Sequence, residues 1–305
     1  MTSEANTSTT QGADQPGECG RGHACTFCPQ EEACQRDKKG HDTHLIQERL
    51  ACIGQIILVM ANKGGVGKST IAANLAVALS KNGHSVGVAD ADVHGPNAPR
   101  IFGLQDTRVR IDAAGLDTPI SSGVQVGSLA FMLPDADTPI VWRDAYKHDF
   151  IHHMIGTFNW GQLDYLIIDM PPGTGNELIT LADLLEDQNL QALLVSTADA
   201  IALQDTLKAA RFCRERGLPI IGLVENYAGT VCPHCGNEID LFERAPEIYQ
   251  FDKDGIPTLA RVPFSKELAV AAAKGVPAAS AEEGVIPSLF SEIANACARA
   301  SVPQI

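Results

Sequence analysis

Residues Lys63-Gly64-Gly65-Val66-Gly67-Lys68-Ser69-Thr70 follow directly on the apolar run Gln55-Ile56-Ile57-Leu58-Val59-Met60. A β-forming run, a glycine-rich turn and a helix-forming stretch (Ile71–Leu79), in that order, build a phosphate-binding loop. The glycines let the backbone curl until successive N–H groups face phosphate oxygens, and the helix N-terminus adds its partial positive charge. Lys68 can reach the β- and γ-phosphates, and the Ser69 hydroxyl can ligate Mg²⁺. Where the strict pattern wants glycine the chain has Asn62, and the loop carries a second lysine, Lys63.

Around the loop, strand-like and helix-like patterns alternate. Strands are expected at Gln55–Ala61, Ser85–Asp90, Val124–Leu129, Tyr165–Asp169, Ala192–Ser196, Ile220–Asn226 and Thr258–Val262. Helices are expected at Ser69–Asn82, Asp144–Phe158, Glu177–Leu185, Ala200–Arg216, Ser265–Ala273 and Ile286–Ala300, with a short one at His44–Leu50. Several strands are unbroken apolar runs, as required when helices cover both faces of a sheet. The fold class is therefore α/β: a doubly wound, mostly parallel sheet with helices on both faces, preceded by a short cysteine-rich extension. Gly83 and Gly217 fit helix C-terminal caps. Residues 1–18 have a disordered composition and 35–43 read as a charged linker. The division is thus 1–43, a disordered and cysteine-rich metal-binding extension, and 44–305, the nucleotide domain.

The formal net charge is −14 over 305 residues. That balance argues against nucleic acid and against an anionic membrane surface as partners. No apolar run approaches the roughly 18–20 residues that span a bilayer, and no signal pattern opens the chain, so a cytoplasmic protein is expected. Nine cysteines, four of them between Cys19 and Cys34, read as metal ligands in a reducing compartment rather than as a disulfide framework.

Two more strand ends carry acids. Ser85–Asp92 ends in Asp90 and Asp92, and Tyr165–Asp169 runs into Met170-Pro171-Pro172-Gly173-Thr174-Gly175. A carboxylate at the C-terminal edge of a parallel strand stands beside the phosphate loop, so Asp169 is placed to hold Mg²⁺ directly or through water. Either Asp90 or Asp92 could orient an attacking water. The Pro-Pro-Gly run is stiff and then hinged, which suits a loop that answers to a γ-phosphate.

Taken in order, the phosphate loop, Asp90–Asn97, Asp137–Arg143, Asp169–Gly175 and Glu225-Asn226 resemble the Mrp/ApbC family of ATPases, relatives of the cytosolic nucleotide-binding cluster-assembly scaffolds. The likeness covers roughly residues 44–300. The loop itself resembles the deviant form of the SIMIBI class, in which the early lysine crosses a dimer interface to the partner's ATP. The resemblance implies ATP hydrolysis coupled to binding 4Fe–4S clusters and transferring them to apoproteins. Carried over by position, it implies that Gly64, Gly65, Val66 and Gly67 cradle phosphates. Lys63 acts in trans, Lys68 binds phosphate, Ser69 binds Mg²⁺ and Thr70 meets the α-phosphate. Asp92 orients water, Asp169 opens the second switch, and Asn226 reads the adenine edge, where its amide can both donate and accept. Asn176, Ala198 and the stretch after Arg143 depart from the family pattern.

Cys232-Pro233-His234-Cys235 offers two thiolates, but a closed metal site needs two more ligands. No second pair lies nearby in sequence, and a two-fold dimer would complete the count. Chemistry alone fits zinc as well as iron–sulfur; the resemblance implies a bridging 4Fe–4S cluster in a homodimer, or a heterodimer with a paralogue. The spacing Cys19-x5-Cys25-x2-Cys28-x5-Cys34 is similar to the N-terminal cluster motif of the scaffolds, which place the first cysteine further upstream; His23 is an alternative ligand. Cys52, Cys213 and Cys297 read as small core side chains, and His148, His152 and His153 as a helix face without a metal. The competing readings are a spatial-organising ATPase of the partitioning or division type, for which the basic surface is missing, an electron-transfer ATPase, and a zinc-stabilised NTPase without cluster transfer.

Overall fold

The computed structural model describes residues 19, 21–25, 28, 30–92, 95–132, 154–173, 176–232, 234–235, 237–241 and 243–300, with only the backbone of 176, 177 and 231. Several expectations lie outside the described residues: the disorder of 1–18, the Asp137–Arg143 motif, the helix from Asp144 to residue 153 with His148, His152 and His153, and Thr174-Gly175.

The elements run α1 (Lys38–Ala51), β1 (Ile53–Met60), α2 (Lys68–Lys81), β2 (Val86–Asp90), α3 (Ala98–Ile101), β3 (Ile111–Asp112), β4 (Gly115–Leu116), β5 (Ile120–Ser121), β6 (Val124–Ser128) and β7 (Leu163–Asp169). They continue with α4 (Asn176–Leu184), β8 (Leu190–Ser196), α5 (Ala200–Glu215), β9 (Ile220–Asn226), β10 (Thr230–Val231), β11 (Glu238–Ile239), α6 (Ile248–Lys253), β12 (Thr258–Val262), α7 (Lys266–Ala273) and α8 (Val285–Ala300). Eight strands form one sheet in the order β12-β9-β8-β1-β7-β2-β6-β5. Every pairing in it is parallel except the edge pair β5–β6. The doubly wound α/β fold expected from the alternation is the one that forms. The antiparallel edge, the two small hairpins, α3 and α6 are too short to leave a periodic signal.

The unbroken apolar character of β1 has a direct cause. Ile56, Leu58 and Met60 enter one buried cluster, with Leu181, Leu203 and Trp160. Ile57, Val59 and Ala61 enter the other, with Ile71 and Leu75 of α2 and Phe290 and Ile293 of α8. Alternate side chains from Ile56 on thus feed two separate cores, so both parities are apolar there, while the buried Gln55 before them donates to Gln191 Oε1 at 2.8 Å. Cys213 falls in the first cluster and Cys297 in the second, both fully buried, as expected of small apolar side chains. Cys52 is instead partly exposed, at the C-terminal cap of α1. Gly83 and Gly217 follow α2 and α5 with φ of +92° and +66°, the left-handed conformation a helix stop requires.

The linker expected over 35–43 is corrected. Lys38–Thr43 are already helical, because the Asp37 side chain accepts from Gly40 N and caps α1. His41, Leu45, Ile46 and Leu50 then form one buried stripe, with Ile46 and Leu50 in the first core cluster. The charged residues between them hid this stripe from a count of apolar positions.

The two strand glycines on the sheet face over Trp160 are required by packing. A Cβ on Gly127 would lie 2.5 Å from Cη2 of the fully buried Trp160, and one on Gly87 would lie 3.1 Å from the same ring. Gly127→Ala is therefore expected to cost about 1–3 kcal/mol. Urea unfolding checks it, with a lower midpoint at unchanged slope.

Candidate functional site

The C-terminal ends of β1, β7 and β2 meet beneath the glycine loop. In register, Asp169 pairs with Val59 on one side and with Asp90 on the other. The loop leaves β1 and returns as α2, whose N-cap is Gly67 at φ +90°, with no side-chain cap and no acid in the first turn. The first N–H groups of α2 are thus left for an anion. Gly65 (φ +81°) and Gly64 line the same cleft, of about 450 Å³, and a Cβ on either would meet no protein atom within 4 Å. That is room for phosphate against bare backbone. Lys68, Ser69, Thr70 and Asp92 line it as expected.

Asp169 is buried at 1% exposure. Both its carboxylate oxygens lack a well-formed hydrogen bond among the described residues. Burial pushes its pKa up to about 6, while the Ser69 hydroxyl and Lys68 ammonium, both close by, pull it back, and Asp92 raises it. A desolvated acid beside a hydroxyl, with two orphaned oxygens, is the donor set that Mg²⁺ would complete. Asp90 is also held well above the usual carboxylate range, by burial and then by Asp169. Its oxygens are engaged by Ala98 N at 2.9 Å and Asp92 N at 3.3 Å. Of the two acids left open by sequence, Asp90 fastens the start of α3 and Asp92 faces the cleft.

Asn226 ends β9 behind the loop. Its Nδ2 donates to Val66 O at 2.8 Å, and its buried Oδ1 has no partner among the described residues. A Cβ on Gly67 would lie 2.2 Å from that Nδ2, so glycine is required there for contact as well as for φ. The orphaned Oδ1 is an acceptor suited to the adenine amino group. Tyr227, Asn97 and Arg100 also line the cleft. Sequence reasoning did not single them out; an aromatic directly after Asn226 was the one available signal. Lys63 leans away from the cleft toward the α5 N-cap, with its Nζ 3.7 Å from Asp199 Oδ1.

Beyond Asn226 the chain enters the β10–β11 hairpin, whose tip carries Cys232 and Cys235. Cys232 N donates to Asn237 O at 2.8 Å. The backbone N–H groups of Cys235 and His234 hold the Cys232 thiol below its ordinary pKa. Cys235 is exposed and Cys232 partly so. Among the described residues no third Cys, His, Asp or Glu ligand atom joins them.

The four N-terminal cysteines gather around a second cavity of about 560 Å³, which His23 and His41 also line. Cys25 N donates to Asp42 Oδ1 at 2.8 Å, and Ala24 N to Thr157 Oγ1 at 3.2 Å. Arg49 of α1 donates to Gly22 O at 3.2 Å, to Ala114 O, and to Asn159 Oδ1 at 2.9 Å. The cysteine segment is therefore docked on the nucleotide domain. Burial, then Asp42, push the Cys25 thiol up to about 12. His41 was not anticipated: it lay in the stretch read as linker.

The family model describing an NUBPL iron-transfer P-loop NTPase, of the ParA group, matches residues 52–298. An iron-sulfur cluster carrier protein of Methanocaldococcus jannaschii is 36% identical over 256 residues, covering 83% of this chain and 88% of the relative. That of Pyrococcus furiosus is 37% identical over 254 residues, covering 78% and 84%. A nucleotide-binding protein of Archaeoglobus fulgidus, solved in complex with ADP and with cobalt found in it, superposes with a TM-score of 0.70 at 33% identity, over 81% of this chain and 96% of its own. The cell division ATPase MinD of Pyrococcus furiosus, at 24% identity and TM-score 0.56 over 81% of this chain and 99% of its own, shares the fold.

The Asp169 carboxyl sets a pH dependence. Its native pKa, about 6, lies above the ordinary 3.8. Between these values the native state binds the proton more tightly than the unfolded chain, so stability falls as pH rises through about 4 to 6. Asp169→Asn is expected to raise the stability of the nucleotide-free chain by about 1–3 kcal/mol at pH 7.5, a gain that shrinks toward pH 4. Urea titrations at the two pH values check it.

Proposed function

The chain belongs to the NUBPL iron-transfer P-loop NTPase family, and on that premise we propose that it is an ATP-dependent carrier that binds an iron–sulfur cluster and hands it to apoproteins. One observation carries the reading. Asn226, bonded to the phosphate loop through Val66 O, is separated from Cys232 only by the short run through β10. The nucleotide loop and the exposed thiol pair are thus joined through one strand end.

The residues divide the work as follows. The loop N–H groups, Lys68 and Thr70 bind the ATP phosphates, and Ser69 with Asp169 holds Mg²⁺, which neutralises the phosphate charge. Asp92 orients the attacking water. Lys63 exchanges Asp199 for the phosphates of a second copy, so the two subunits close around their nucleotides. Loss of the γ-phosphate releases the segment after Asp169, whose Gly173 N is tied to Ala61 O at 3.2 Å at the end of β1. Each copy contributes Cys232 and Cys235 to one shared 4Fe–4S cluster, the cargo, and hydrolysis changes the grip on it. The four N-terminal cysteines hold a second centre. No helix among the described residues is long and apolar enough to cross a membrane. The acidic balance and the clustered cysteines suit a cytoplasmic setting.

Anaerobic reconstitution with iron and sulfide, followed by metal analysis, visible absorption and size-exclusion chromatography, tests the carrier reading. The intact chain should load as a dimer. The Cys232→Ser, Cys235→Ser double variant should lose the shared cluster and keep ATP binding. A colourless zinc-loaded protein would overturn the proposal. For the nucleotide half, Lys63→Ala should keep ATP affinity while steady-state hydrolysis drops roughly 10²-fold or more, as for the loss of one transition-state charge contact. Lys68→Ala should lose both.

A further inference from the structure

The N-terminal cavity holds more sulfur and nitrogen ligands than a four-ligand centre needs. Besides Cys19, Cys25, Cys28 and Cys34, the ring of His41 lines it, and His41 is 5% exposed. Among the described residues the only trio of metal-ligating atoms within 4.8 Å of one another is Cys25, His41 and Asp42. Cys19, Cys28 and Cys34 are not in that trio.

The orientation of the His41 ring is decided by its neighbours. Nε2 lies 3.1 Å from Arg21 O, and a carbonyl only accepts, so Nε2 carries the proton. Nδ1 faces both Cys25 Sγ, at 3.4 Å, and Asp42 Oδ1, at 3.2 Å. A ring whose far N–H is held by a backbone carbonyl while the near nitrogen faces a thiol is the arrangement of a metal-ligating histidine. Asp42 is a positioning residue: one oxygen accepts from Cys25 N at 2.8 Å and lies 3.2 Å from His41 Nδ1, binding the cysteine loop to α1. The ring rides on a capped helix whose Ile46 and Leu50 sit in the main core.

We infer that His41 is a protein ligand of the N-terminal iron–sulfur centre beside Cys25, the remaining thiolates coming from the other cysteines of the cavity, Cys19, Cys28 and Cys34. This rests on the proposed presence of a metal centre at the N-terminal cysteines. It makes the centre a joint between the cysteine segment and the nucleotide domain rather than a property of the segment alone.

The test uses the full chain carrying Cys232→Ser and Cys235→Ser, so that only the N-terminal centre can load, after anaerobic reconstitution with ferrous iron and sulfide. Iron and sulfide content, pulsed EPR of the reduced centre and its reduction potential are measured. Iron should load, and the spectrum should carry the strong ¹⁴N coupling of a bound imidazole. His41→Ala and His41→Cys should both lose that coupling. His41→Cys should keep its iron and shift to a lower potential, because thiolate replaces imidazole. If iron loads and the coupling is absent, cysteines alone are the ligands and the inference falls while the N-terminal centre stands. If this background takes up no iron, the centre itself is refuted, and the inference with it.

Discussion

A carboxylate taken out of water, with no well-formed hydrogen bond among the described residues, is what the nucleotide site is arranged around. Asp169 ends the strand between β1 and β2, with Asp90 beside it in register. Two adjacent buried acids are costly unless cations face them. Lys68 supplies one such charge from the first turn of α2. The loop glycines follow from that demand, since only a chain free to adopt φ near +90° brings the helix start, the lysine and Ser69 over the strand end. Two buried acids side by side put the site under electrostatic tension, which a cation held between Asp169 and Ser69 would relieve.

The same strand ends carry the connection outward. Glu225 is fully buried between Arg244 and Arg261, at 2.8 and 3.1 Å. That pair of contacts fixes the end of β9, so Asn226 is held against the phosphate loop. The β10–β11 hairpin begins a few residues on, with its thiols in solvent. The loop and the cysteine pair are thus linked by a short run of chain, through a residue that bonds the loop backbone. The N-terminal cysteines are connected differently. Arg49 reaches three separate segments, and Asp42 with His41 clasps Cys25. Two thiol sites on one chain thus sit in different mechanical settings: one at an exposed tip, the other in a cavity against the domain.

Much of this was legible in residue order. The loop announced itself because glycine, lysine and serine are each required at fixed spacing by backbone geometry and charge. The central strands were legible because two cores demand apolar side chains at both parities, and β9 and β12 were located to the residue. Short elements were not legible, since two-residue strands and one-turn helices are created by their neighbours. The start of α1 was hidden because its stripe is partly histidine, and a histidine in a charged stretch reads as solvated until something covers it. The family resemblance singled out Asp92, but residue chemistry alone did not tell Asp90 from Asp92, because their difference lies in the backbone N–H groups of Ala98 and Asp92, which only the turn into α3 brings to Asp90.

Local chemistry along the chain by itself determined the phosphate loop, the doubly wound sheet, the acid at the strand end and the presence of two cysteine groups. These depend on residue type and on spacing within one or two elements. Only the tertiary structure decided which acid faces the cleft, that Asn226 leans on the loop, and that His41 shares a cavity with the N-terminal cysteines. Asn226 meets Val66 across 160 positions, and the nearer contacts, Ala98 with Asp90 and His41 with Cys25, depend on how the chain turns between elements. Such contacts exist only after burial has fixed the segments relative to one another, so no spacing rule along the chain contains them.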